Sequence, residues 1–187
     1  MRSSARAVAP IVRAILALLC RIDRAELAKV PRKGPLILVT NHVNFLEAPL
    51  LYAYLFPRDI SGFAKTETWR NPLLGLLATI WECVPVDRGT NDIASMRLAL
   101  EALAGGKMLN VMPEGTRSHD GLLRRGHQGV VAMALRSGAP IVPIALSGGE
   151  AFWRNLRRGG RNRNRTRRGL RPDDPHGVSN DNVTRRA

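Results

Sequence analysis

Cysteine is scarce in this chain. Only Cys20 and Cys83 occur among 187 residues, in no metal-like spacing. Two isolated thiols exclude a disulfide framework and make a reducing compartment the default. Long hydrophobic runs are also missing: no uninterrupted apolar stretch reaches the ~18 residues that a spanning helix needs. Acidic residues are few, 15 against 29 lysines and arginines, leaving a net charge of +14. An excess of that sign implies an anionic partner: phospholipid headgroups, nucleic acid or a phosphorylated substrate. What the chain does have is 44% hydrophobic residues, enough for a core, and a length most simply read as one domain.

The charge is uneven. Arg154 to Ala187 holds eleven arginines and three aspartates, a net +8, and no long apolar periodicity. Such a segment is expected to be a disordered tail (154–187), with the fold lying before Trp153. The first 30 residues read instead as a basic amphipathic helix. At ~100° per residue, Arg2, Arg6, Arg13 and Arg24 fall on one side, with Val8, Ile11, Val12, Ile15, Leu16, Leu18 and Leu19 roughly opposite. That pattern suits a helix lying in a membrane interface, and equally a helix packed on its own domain. Arg13 interrupts the apolar run and no small-residue cleavage site follows, which argues against a signal peptide.

Between these ends, residues 31–153 alternate. Leu36–Thr40, Ile60–Lys65, Cys83–Asp87, Lys107–Met112 and Pro140–Leu146 read as strands. Helices are expected over Pro49–Leu55, from Asn71-Pro72 to Trp81, from Asp92 to Ala104 and over His127–Ser137. The fold class is therefore α/β: a mostly parallel, mixed sheet flanked by helices, preceded by the amphipathic helix. Sites in such sheets gather at the carboxyl ends of strands.

Two motifs stand where that rule puts them. The first is Asn41-His42-Val-Asn-Phe-Leu-Glu47. A hydroxyl becomes a competent nucleophile when a base accepts its proton, and neutral imidazole suits that task near pH 7. A carboxylate on the other ring nitrogen fixes the tautomer and stabilises the imidazolium. Five positions suit a histidine in the turn after a strand and a carboxylate at the start of the next helix. Asn44-Phe-Leu-Glu47 also reads as a capping box. Pro49 argues against it, because proline prefers the first helical position and moves the helix start to about Ala48.

The second motif is Pro113-Glu114-Gly115-Thr116-Arg117-Ser118. Gly115 permits a tight backbone, Thr116, Ser118 and main-chain N–H groups can donate to phosphate oxygens, and Arg117 can grip them bidentately. Glu114 cannot bind phosphate directly, but can orient an arginine or accept from a hydroxyl. Arg88 follows a strand and precedes a glycine, a weak signal alone. Pro140-Ile-Val-Pro143 is an apolar strand with two prolines.

The order of these segments resembles the glycerolphosphate and lysophosphatidic acid acyltransferase family. Its blocks are His-x4-Asp, a strand ending in arginine, Pro-Glu-Gly-Thr-Arg-Ser, and a proline-containing apolar strand. Here they stand as His42 to Glu47, Val86-Asp-Arg88-Gly, Pro113 to Ser118, and Pro140 to Pro143, with Phe63-Ala-Lys65-Thr-Glu67 and Pro72-Leu-Leu-Gly75 between. The likeness covers roughly Pro35 to Leu146. It implies an enzyme that moves an acyl group from an acyl-CoA or acyl-carrier-protein thioester to the hydroxyl of a lysophospholipid. His42 would be the base beside Glu47, with Arg88, Glu114, Gly115, Thr116, Arg117 and Lys65 around the acceptor phosphate. No metal or redox cofactor is implied. The implied place is the cytoplasmic face of the cell membrane, peripheral or monotopic, with the phospholipid surface as partner.

Two departures accompany the resemblance. Glu47 replaces the family's aspartate, and the chain turns arginine-rich where the family continues as α/β, so a truncated or altered C-terminus is expected. A catalytically weak lipid-binding relative remains an alternative. So does a nucleic-acid-binding protein, although no aromatic residue follows Trp153 to stack on bases.

Overall fold

The computed structural model describes residues 3–87, 92–118 and 122–168. In chain order the elements are α1 (Ser3–Leu19), β1 (Cys20–Asp23), β2 (Leu36–Thr40), α2 (Glu47–Leu55), β3 (Ile60–Lys65), α3 (Pro72–Ile80), β4 (Val84–Val86), α4 (Ile93–Ala104), β5 (Met108–Val111), α5 (Gly129–Ser137), β6 (Ile141–Ser147), α6 (Phe152–Arg157) and β7 (Asn162–Arg168). The helix starts follow local chemistry. Asn71 accepts from the N–H groups of Leu73 and Leu74 ahead of α3, and Asp92 accepts from that of Ser95 ahead of α4.

The strands form one seven-stranded sheet in the order β1-β7-β6-β2-β5-β3-β4. Neighbours run parallel except β6 and β7, which are antiparallel. The central strand β2 shows why the sheet is apolar throughout. Leu36 and Leu38 point into a core shared with Leu16 of α1 and Leu50 and Leu51 of α2. Ile37, between them, points into a second core with Ala99 and Leu103 of α4 and Met133 of α5. A strand buried on both faces reads as a continuous hydrophobic run, as Leu36 to Val39 does. Because β2, β3, β5 and β6 run the same way, His42, Lys65 and the 113–118 turn all emerge at one end of the sheet.

Two expectations about the ends of the chain are corrected. Residues 154–168 do not leave the fold at Trp153: they form the end of α6 and β7. The alternation in Asn162-Arg-Asn-Arg-Thr166 is a strand pattern whose inward residues are polar. Asn162, Asn164 and Thr166 are buried, and Arg163 and Arg165 face outward. The inward groups are satisfied: Asn162 donates to the Gly148 carbonyl at 2.8 Å, and Thr166 donates to the Asp23 carbonyl at 2.9 Å. Burying polar groups is tolerable when they are hydrogen-bonded, so a strand can form with no apolar residue at all. The rest of the expected tail lies outside the described residues.

Residues 1–30 are likewise not a separate unit. Cys20–Asp23 pairs with β7 as part of the sheet. The apolar face expected for α1 also divides. Val8, Val12 and Leu16 join the core with Ala5, while Ile11, Ile15 and Leu18 stay exposed. Arg13, expected on the solvated basic side, instead donates to the Ala53 carbonyl at 2.8 Å and lies over the Tyr54 ring. Among the described residues no helix is long and apolar enough to cross a membrane.

Candidate active site

His42 stands two residues beyond the end of β2, in a loop held by its neighbours. The Asn41 side chain makes two hydrogen bonds to the main chain of Leu146 in β6, donating to its carbonyl at 2.8 Å and accepting from its N–H at 2.7 Å. Asn44 donates to the Gly149 carbonyl at 2.7 Å and accepts from the Leu46 N–H. These two asparagines fix the loop to the β6 side of the sheet. Sequence reasoning gives neither this role: Asn41 after a strand reads as an ordinary loop residue, and Asn44 reads only as a helix cap.

Within that loop Glu47, 5% exposed, carries two functions on two oxygens. Oε2 lies 2.9 Å from Nδ1 of His42. Oε1 accepts from the N–H groups of Val43 at 2.8 Å and Asn44 at 2.7 Å. These bonds hold the loop and are not a helix cap: Leu46 stands at the cap of α2 without a side-chain cap bond, and the helix starts within one residue of the expected Ala48. α2 begins at Glu47 itself, and Pro49 falls within its first turn, where no intrahelical donor is required. A carboxylate can only accept, so the tautomer of His42 that bonds it is the one with the proton on Nδ1 and a lone pair on Nε2.

The Pro113–Ser118 turn after β5 closes on the same loop. The Ser118 N–H donates to the His42 carbonyl at 2.7 Å, and the His42 N–H donates to Oε1 of Glu114 at 3.0 Å. The second Glu114 oxygen accepts from the Arg124 N–H at 3.1 Å. Glu114 was expected among the acceptor-binding residues. It is buried and spends its carboxylate on two main-chain donors, bracing the two motifs against each other. Gly115 has φ +63°, a conformation that glycine adopts without the penalty a side chain brings.

A cavity of about 790 Å³ opens against this assembly. His42, Lys65, Gly115, Thr116 and Arg117 all line it, so the structure brings five of the eight expected site residues to one space. Glu47 stands behind the His42 ring, Glu114 behind the turn, and Arg88 lies outside the described residues. The other walls are largely apolar, from Phe63, Leu74, Leu77, Trp81 and Met133, with Tyr52, Cys83, Asn110 and the carboxylates of Asp87 and Asp92 among the polar exceptions. Burial pushes the Cys83 thiol up to about 11, partly offset by hydrogen bonds from the Tyr52 hydroxyl and the Gly62 main chain. The arrangement joins a carboxylate-backed imidazole, two cations and largely apolar walls. It can take a proton from a hydroxyl whose molecule also carries an anion and a hydrocarbon chain.

The comparisons with known proteins fall on the same segments. A family model described as Acyltransferase matches residues 21–147. A 1-acyl-sn-glycerol-3-phosphate acyltransferase of Limnanthes douglasii is 37% identical over 121 residues, covering 63% of this chain and 43% of the relative. A lyso-ornithine lipid O-acyltransferase of Pseudomonas aeruginosa is 36% identical over 121 residues, covering 64% and 45%. In each case the chain spans less than half the length of the relative. Among solved structures, a 1-acyl-sn-glycerophosphate acyltransferase from Thermotoga maritima matches with a TM-score of 0.68 at 21% identity, covering 95% of this chain and 72% of that one. That likeness is one of fold.

Proposed function

From the premise that the chain belongs to the acyltransferase family, we propose that it moves a fatty acyl group from a thioester to the hydroxyl of a lysophospholipid. The donor is an acyl-CoA or an acyl-carrier protein, and the acceptor is lysophosphatidic acid or a related lipid. The observation that carries the reading is the 2.9 Å His42–Glu47 pair facing a cavity that also holds Lys65 and Arg117.

The chemistry follows from that geometry. Nε2 of His42 accepts the acceptor's hydroxyl proton as the oxygen attacks the thioester carbonyl. Glu47 stays ionised and stabilises the imidazolium, which an uncharged partner would not do. Collapse of the tetrahedral intermediate breaks the C–S bond, and the imidazolium returns its proton to the departing thiolate. Lys65, Arg117 and the Gly115–Thr116 main chain hold the acceptor's anionic group, so that its hydroxyl meets Nε2 rather than bulk water. The apolar walls take a hydrocarbon chain.

The protein works at a membrane surface in this reading, peripheral or monotopic, on the cytoplasmic face. Exposed Ile11, Ile15 and Leu18 on α1 and the net charge of +14 support attachment to anionic lipid.

The test is thiol release from a long-chain acyl-CoA with and without lysophosphatidic acid. Acceptor-dependent release is expected from the native chain and is lost in His42→Ala with the fold intact by circular dichroism. Release that persists in His42→Ala would remove His42 from the mechanism.

A further inference from the structure

Resting on the acyl-transfer reading, we propose that His127 is an acceptor-binding residue: its imidazole, packed over Gly115 in the His42 cavity, donates to the same anionic headgroup as Lys65 and Arg117. His127 lies just ahead of α5 and lines the same cavity as those two residues. Its place is set by main chain, because its N–H donates to the Pro113 carbonyl at 2.8 Å. Its ring covers the turn: a Cβ on Gly115 would stand 3.2 Å from Cδ2 and 3.3 Å from Nε2. The bare glycine therefore lets the imidazole edge sit against the main chain of the anion-binding turn, beside Thr116 and Arg117.

The cavity's other polar groups leave room for this role. Two carboxylates, Asp87 and Asp92, also line it. Both accept from the chain's own donors: Asp87 from the Thr66 hydroxyl, Asp92 from the Ser95 N–H at 2.9 Å. The His127 ring makes no hydrogen bond or ion pair among the described residues. Nor, among the described residues, does a carboxylate bond to it as Glu47 does to His42. The base is the imidazole with Glu47 at its back. The second imidazole suits a fixed anion, as a hydrogen-bond donor.

Steady-state kinetics with lysophosphatidic acid and an acyl-CoA, on native chain, His127→Ala and His127→Lys, test this. His127→Ala is expected to raise the acceptor KM about tenfold, the scale of one lost charge-assisted hydrogen bond, with the loss falling on acceptor KM rather than on donor KM or kcat. His127→Lys is expected to restore most of it. An unchanged acceptor KM, or a loss confined to kcat, would overturn the assignment. A titration of the native chain with glycerol 3-phosphate, read on the imidazole NMR signals, separates this from the acyl-transfer reading. Signals of His127 that move on titration support the anion site even where no turnover is found. Signals that stay still overturn it even where turnover is found.

Discussion

Glu47 divides its two oxygens between His42 and the main chain of Val43 and Asn44, and that division decides what a substitution there does. Glu47→Asp retracts the carboxylate by about one carbon–carbon bond, a displacement of a kind that can cost ~10²-fold in rate. A fall in kcat is expected, together with slight destabilisation from the loosened N–H bonds. A gain in activity, with the native chain silent, would instead mark the native pair as impaired. Gly115→Ala puts a Cβ at positive φ, costing about 1–2 kcal/mol, and pushes the His127 ring aside. Acceptor affinity should fall with a Tm loss of a few degrees, measured by thermal unfolding. Cys83, held near 11 by burial, is a neutral thiol at pH 8. Thiolate, not thiol, attacks disulfide reagents, so Cys83 should react far more slowly than free cysteine and speed up as pH rises toward 11. Reaction at the free rate would mean that this wall of the cavity opens. The meeting of His42 and Arg117 at one cavity was legible in the sequence because residue type and order carry it. The two bonds of Glu47 were not. Holding a main-chain N–H and holding an imidazole read there as rivals, and the geometry gives the carboxylate an oxygen for each.

The elements were legible wherever burial imposes an apolar period. β2, β3, β5, β6 and the helices α3, α4 and α5 fall close to their expected ranges, because each hides hydrophobic side chains on a sheet covered on both faces. β7 escaped because its period-2 signal is written in asparagine and threonine, and its outward arginines read as solvated charge. Its position depends on Gly148, at φ +89°, where a Cβ would stand 1.8 Å from the Arg163 carbonyl. Gly148→Ala cannot be absorbed by a side-chain shift, since the clash is with main chain. It should separate β6 from β7 and lower Tm by far more than Gly138→Ala, which meets nothing within 4 Å. Equal Tm losses in the two variants would show that the β6–β7 junction tolerates a side chain.

For the whole molecule, the proposed lipid attachment divides into separate contributions from one apolar row on α1 and a net +14. Charge is screened by salt, with a Debye length near 10 Å at 0.1 M falling to ~3 Å at 1 M, whereas apolar insertion is not. Sedimentation with anionic vesicles should weaken as salt rises and level at a residual set by Ile11, Ile15 and Leu18. Replacing these three by serine should abolish the residual while leaving the low-salt binding. A residual that survives the triple substitution would place insertion elsewhere. The order of the sheet also bears on how the chain is made. β1 has a single neighbour, β7, whose residues lie near position 165. At a synthesis rate of ~5–20 residues per second, Cys20–Asp23 waits on the order of ten seconds before its partner exists. Over that interval α1 already has its partners in α2, through Leu50, Leu51 and the Ala53 carbonyl. Only the strand that follows it stands unpaired, so the N-terminal edge of the sheet is among the last parts of the fold to close, and a chain cut short of Asn162 would leave Cys20–Asp23 with no strand beside it.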